Sequence, residues 1–151
     1  MLFRSPKLQV LGPEPLTEDF DTRYLYPRLK ASSKEIKPFL LDQRLVAGIG
    51  NIYASEILFA SGVLPQRSSH SLKKKEVQAI VENTRRILLS AIEYNGTSVS
   101  DFRQVDEKTG EFQNFLQVYD KESQPCPRCE VPLQRIVQQQ RSTFFCIGCQ
   151  K

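Results

Sequence analysis

Nowhere in this chain do eighteen apolar residues follow one another, which excludes a membrane-spanning helix as a reading of the sequence. The opening Met1-Leu2-Phe3-Arg4-Ser5-Pro6 lacks the long apolar core of a secretory signal, and the expectation is a cytoplasmic protein. Internal repeats and extended low-complexity tracts are missing, so a repeat architecture and a globally disordered chain are both poor fits. Histidine occurs once, as His70 among Ser68, Ser69 and Ser71, and reads as a solvated residue near a helix cap. Cysteine is absent until Cys126. What remains is ordinary: 151 residues, 40% hydrophobic and 25% charged, the make-up of a folded domain.

The net charge of +4 is too mild to name a polyanionic partner by itself, but its distribution is uneven. Residues 121–151 carry +3, from Lys121, Arg128, Arg135, Arg141 and Lys151 against Glu122 and Glu130. The same segment holds all four cysteines, as Cys126-Pro127-Arg128-Cys129 and Cys146-Ile147-Gly148-Cys149. Two such knuckles, sixteen residues apart, can wrap one tetrahedral Zn²⁺. Four thiolates leave no position for water, so the zinc would be structural. Two disulfides, free thiols or a rubredoxin-type iron are the alternatives.

The stretch to about Pro27, with Gly12-Pro13-Glu14-Pro15, reads as an extended connector. Ser32-Ser33-Lys34-Glu35 matches a capping box, and Ile36, Phe39, Leu40 and Val46 would share one helical face. Pro38 argues for a regular start nearer Lys37. Gly48-Ile49-Gly50-Asn51 interrupts the pattern. A second helix is predicted from about Ile52 to Gly62, with Asn51 as its cap. A third runs from near Ser71 to Asn95-Gly96, with Val77, Ile80, Val81, Thr84, Leu88, Ala91 and Ile92 at helical spacing. Residues 97–115 read as a long loop, and 131–137 and 141–146 as two strands joined by Gln138-Gln139-Gln140.

The Gly48–Asn51 turn places backbone N–H groups and a helix amino terminus where an anion could bind; an ordinary interhelical turn is the competing reading. Lys73-Lys74-Lys75 is either a solvated helix start or a contact to distant phosphates.

Five segments carry a resemblance in their order and spacing: 11–16 (Leu11-Gly12-Pro13-Glu14-Pro15-Leu16), 36–43, 46–56, 116–119 and 140–151. Together they resemble the formamidopyrimidine-DNA glycosylase family over nearly the whole chain. The resemblance implies a mainly α fold: a helix-two-turns-helix DNA-binding domain over 32–120 with a lesion loop at 97–115, after a 1–31 linker or remnant of a preceding domain. A zinc-finger β-hairpin at 121–151 follows. It further implies that the cofactor is one structural Zn²⁺ on Cys126, Cys129, Cys146 and Cys149, and that the partner is damaged double-stranded DNA bound by a monomer at the bacterial nucleoid. Lys37 and Asn51 would contact phosphates, Tyr53 and Lys34 would join them, and Arg141 would grip the phosphate beside the lesion and serve a δ-elimination step.

The family opens with a proline and a glutamate that do the catalytic work, and neither stands at the start here. It also has a basic residue where this chain has Ser32, so that contact is either absent or shifted to Lys34. The expectation is the damaged-DNA-binding part of a glycosylase/AP lyase acting on oxidised purines, binding DNA and zinc without excising bases. A naturally short, non-catalytic DNA-binding module and a zinc-ribbon protein-interaction module are the alternatives.

Overall fold

The computed structural model describes residues 11–93 and 116–151, and the loop expected at 97–115 lies outside them. Four helices, one short 3₁₀ turn and a two-stranded hairpin follow one another in the described chain. The first helix, α1 (Thr22–Lys30), corrects the extended connector expected to Pro27. Pro27 removes a helical N–H, a cost that misleads a reading by residue type. Against it, the Asp21 carboxylate accepts the Tyr24 N–H at 2.8 Å, and Leu25 and Leu29, one turn apart, are buried with Phe20.

Helix α2 (Ile36–Leu41) is much shorter than the capping box suggested. The Ser32 hydroxyl accepts from the Lys34 N–H instead, and Glu35 holds the cap position with no side-chain cap bond. This segment is tied sideways: Glu35 bridges Ser68, Ile36 N–H donates to Arg67 O, and Ser69 N–H donates to Lys34 O. Val46, expected on the same helix, is buried in the following loop.

That loop is fixed from two sides. Gly12 N–H donates to Gln43 O and Ala47 N–H to Pro13 O, and a Cβ on Gly12 would lie 2.3 Å from the Leu45 carbonyl oxygen. Only glycine fits that close approach. Helix α3 (Asn51–Ser61) then begins one residue earlier than expected, with Gly50 as its cap, and ends on left-handed Gly62 as the sequence indicated. Ala54 through Phe59 are all buried, which makes α3 the central helix.

After the 3₁₀ turn Ser69–Ser71, α4 (Lys74–Glu93) buries Val77, Ile80, Val81, Thr84, Ile87, Leu88 and Ala91. Ile92 was expected on that face and is 53% exposed. The hairpin pairs β1 (Gln134–Gln138) with β2 (Arg141–Phe145), Gln138 opposite Arg141. The turn is therefore Gln139-Gln140 alone, and the first strand is shorter than the 131–137 expected. The helices share one core. A second cluster joins Phe59 of α3 to Val118, Cys126, Leu133, Phe144 and Cys146, so the hairpin packs onto the helical body through the residues that flank its cysteines.

Candidate nucleic-acid interface and metal site

The four cysteine sulfurs lie within 4.8 Å of one another, with Cys126 to Cys149 at 3.7 Å and Cys129 to Cys146 at 3.4 Å. Tetrahedral thiolates at the Zn–S distance of about 2.3 Å are spaced about 3.8 Å apart, so the set fits zinc. Around it the backbone is shaped for metal. Arg128 N–H donates to Cys126 Sγ at 3.3 Å, and a Cβ on Gly148 would stand 2.9 Å from Cys129 Sγ. These residues would hold one Zn²⁺ as a closed, structural cross-link.

Glu56 anchors the chain entering this module. Its buried carboxylate accepts the N–H groups of Gln117, Val118 and Tyr119 at 2.8, 3.0 and 2.9 Å. Burial pushes its pKa up, and those three bonds oppose the shift. At the far end, Gln150 accepts the Cys146 N–H and donates to Val63 O, while Lys151 N–H reaches Gly62 O.

The residues expected to contact phosphate meet where the hairpin docks on the α2–α3 turn. Lys37 is fully buried, and its ammonium donates to Asn51 Oδ1, to Thr143 Oγ1 at 2.8 Å and to Ser142 O at 3.4 Å. None of these acceptors is a carboxylate. Burial, and then the positive charge of Arg141, lowers the Lys37 pKa to about 8. Asn51 completes the junction by donating from Nδ2 to Ser142 O at 3.0 Å. Its side chain thus locks hairpin to helix and does not cap α3, whose first turn has neither a side-chain cap bond nor an acidic residue.

Lys34, Lys37, Pro38, Leu41, Asp42, Gln138, Gln139 and Arg141 line an adjoining cavity of about 290 Å³. Arg141 is exposed at the hairpin tip. Lys34 pairs with Asp42 at 2.9 Å, and Arg44 binds the same carboxylate, whose pKa these bonds hold far below the usual range. Tyr53 is placed elsewhere, half-buried on α3 against Ala91 and Leu116, and burial pushes its phenol up to about 12.

Two participants are not legible in the sequence pattern. Gln138, expected in the turn, is buried on β1, donating to Glu35 Oε1 at 2.7 Å and Pro65 O at 3.1 Å while its Oε1 finds no partner among the described residues. Thr143 is expected only as a strand residue. Thr143, Phe144 and Phe145 are all buried, so no in-and-out alternation along β2 marks it.

The model for the formamidopyrimidine-DNA glycosylase H2TH domain matches residues 11–103, and that for the zinc finger found in FPG and IleRS matches 123–151. Formamidopyrimidine-DNA glycosylase of Serratia proteamaculans is 47% identical over 150 residues, 99% of this chain and 56% of that protein. The Neisseria meningitidis enzyme is 47% identical over 146 residues, 97% of this chain and 53% of that protein. Among solved structures, Lactococcus lactis Fpg with FAPY-dG-containing DNA superposes with TM-score 0.85 at 38% identity, covering 96% of this chain and 52% of that one. MutM from Thermus thermophilus gives 0.84 at 38%, over 96% and 55%. The chain spans about half the length of the relatives it matches.

Proposed function

Because the chain belongs to the formamidopyrimidine-DNA glycosylase family, we propose that it is the damaged-DNA-binding part of a base-excision-repair glycosylase/AP lyase acting on oxidised purines. It binds duplex DNA as a monomer, at the bacterial nucleoid, and carries one structural zinc. The relatives supply the substrate class in their names and bound DNA; the chemistry of the cavity supplies the reason for binding.

One observation carries this reading. A fully buried ammonium, Lys37, sits beside the guanidinium of Arg141 on a cavity that offers it no carboxylate of its own. Desolvated cations without a counter-charge are costly, and an anion entering the cavity removes that cost. The Asp42 carboxylate on the same wall is engaged by Lys34 and Arg44. A backbone phosphate fits the remaining charge, with the first-turn amides of α3 as a nearby dipole.

Excision needs an amine with a free lone pair at the sugar C1′. Lys37 has the lowered pKa of such an amine, but its donor positions are taken up by Asn51, Thr143 and Ser142. Lys34 is held by Asp42. Neither cavity lysine among the described residues is free to be that amine, so we assign these residues binding, and Arg141 a supporting part in δ-elimination.

Binding to an oxidised-guanine duplex tests this reading, and both Asn51→Ala and Arg141→Ala should weaken it at any sequence. Salt-independent binding, or no binding at all, would refute the phosphate site. Efficient base release, or a borohydride-trapped adduct with intact lesion DNA, would refute the division of labour.

A further inference from the structure

The basic run Lys73-Lys74-Lys75 and the last residue of α1, Lys30, lie outside the cavity, yet the fold connects them to it. The Lys34 carbonyl accepts both the N–H and the hydroxyl of Ser69, each at 2.8 Å. One residue on, His70 O accepts from Lys30 Nζ at 3.1 Å. The Ser69–Ser71 turn then leads through buried Leu72 into Lys73 and α4. Lys34 itself shares the cavity wall with Arg141. From the cavity wall to α4 the chain is thus tied segment to segment, and along this path the side chains of Arg141, Lys34, Lys30, Lys73 and Lys74 are all exposed.

Acidic neighbours cancel only part of this path. Asp42 is shared by Lys34 and Arg44, and Glu76 is bound by both terminal nitrogens of Arg67 at 3.0 Å, while Lys30, Lys73 and Lys74 form no ion pair among the described residues. Lysines in the first turn of a helix oppose its dipole, so their placement at the start of α4 works against folding. The exposed large hydrophobics among the described residues are Leu11, Leu16, Leu89, Ile92, Val137 and Ile147, and none belongs to this path. Protein partners are gripped by apolar and aromatic anchors; here the Tyr26 ring is half-buried and covered by the Lys30 ammonium at 5.5 Å. Exposed ammonium groups without such anchors suit a polymer whose negative charges repeat at short intervals.

We propose that Lys30, Lys73 and Lys74 form a second phosphate-contacting surface, which carries the DNA duplex past the Arg141–Lys34 cavity and along its flanking backbone. This rests on the reading of the cavity as a DNA-phosphate site. The contact is electrostatic and independent of sequence. It engages only when the duplex is long enough to reach it.

The test compares the 151-residue chain with its Lys73→Ala/Lys74→Ala double variant on two lesion duplexes, one of about one helical turn and one of about three turns. Both are titrated by fluorescence anisotropy over a salt series. On the long duplex, the slope of log affinity against log salt should fall by about two in the double variant, since each phosphate contact contributes about 0.9. On the short duplex the two proteins should agree, while Asn51→Ala should weaken binding to both lengths. An unchanged slope on the long duplex overturns the second surface and leaves the cavity intact. Failure of the wild-type chain to bind either duplex overturns both. Displacement of long DNA by poly-glutamate as effective as that by unlabelled duplex, at equal charge concentration, would assign the surface to an acidic protein and also overturn the inference.

Discussion

Lys37 on α2 donates a hydrogen bond to the hydroxyl of Thr143 on β2 at 2.8 Å, across 106 positions of sequence. The bond joins the helical body to the hairpin at the place where phosphate is proposed to sit. Asn51 stands on the other side of the same ammonium and reaches the neighbouring carbonyl of Ser142. Folding of the hairpin and construction of the anion site are thus one event, because neither strand nor turn provides the arrangement alone.

Asn51 separates docking from binding. Asn51→Ala leaves Lys37 and Ser142 O each short of a partner and should cost about 1–3 kcal/mol in urea unfolding. Asn51→Asp instead pairs a carboxylate with Lys37. It loses the donor to Ser142 O, so its stability should lie between Asn51→Ala and the wild type, while affinity for duplex DNA falls at least about tenfold through repulsion of phosphate. Equal loss of stability and affinity in both variants would contradict the arrangement.

Lys37 makes binding depend on pH. Its pKa in the folded chain is lowered from 10.5 to about 8, so the unfolded chain keeps its proton to higher pH. Stability should therefore rise from about pH 8 to 10.5, and be lowest on this account below 8. A bound phosphate favours the charged ammonium, so affinity should be full below about pH 8 and decline above it, with uptake of a proton on binding. Anisotropy titrations between neutral and alkaline pH check this. Lys37→Met should remove that part of the decline, and a wild-type profile no steeper than the variant's would exclude Lys37 as its source.

Metal loss should spread beyond the hairpin. Cys129→Ser removes one of four thiolates, and structural zinc contributes on the order of 10 kcal/mol or more in comparable small modules. Phe59 and Ser55 of α3 contact the hairpin, so release of β2 also withdraws Thr143 and Ser142 from Lys37. The variant should keep most of its helical circular dichroism, bind no stoichiometric zinc by elemental analysis, and lose DNA binding. Retained affinity in metal-free protein would show that the hairpin holds its position without zinc.

Glu56 should be sensitive to more than charge. Glu56→Ala strands three consecutive backbone N–H groups, and at about 1–3 kcal/mol each the loss should reach about 3 kcal/mol or more. Glu56→Gln retains one acceptor oxygen and should fall between. Chemical denaturation of the three proteins measures the series, and an alanine variant as stable as wild type would be inconsistent with these bonds.

What could be read in the sequence was what depends on local pattern. The cysteine spacing gave the metal site, the 3.6-residue period gave α4, and Gly62 with Pro65 gave the end of α3. Misreadings arose where distant residues decide. Pro27 hid α1, whose stability comes from Leu25 and Leu29 in the core. Ser32 and Glu35 had the letters of a capping box, but Ser68 and Gln138 claimed that segment. Asn51 had the character of a cap, and its amide was taken by a strand 91 residues away. Lys37, Asn51, Lys34 and Arg141 were named through resemblance to a family; that Lys34, Lys37 and Arg141 line one cavity, with Asn51 bonded to Lys37 beside it, came only with the fold.

The Gln139-Gln140 turn has both residues in the left-handed region, at φ 47° and 69°, where asparagine and glycine are at ease and glutamine is not. Such a turn is a poor place to begin a hairpin. The residues on either side of it are tied to the helical body instead: Gln138 donates to Pro65 O, and Ser142 O accepts from Lys37. The bonds that offset this local strain thus come from the helical body, and Arg141, which follows the turn directly, is held in place by contacts made outside its own hairpin.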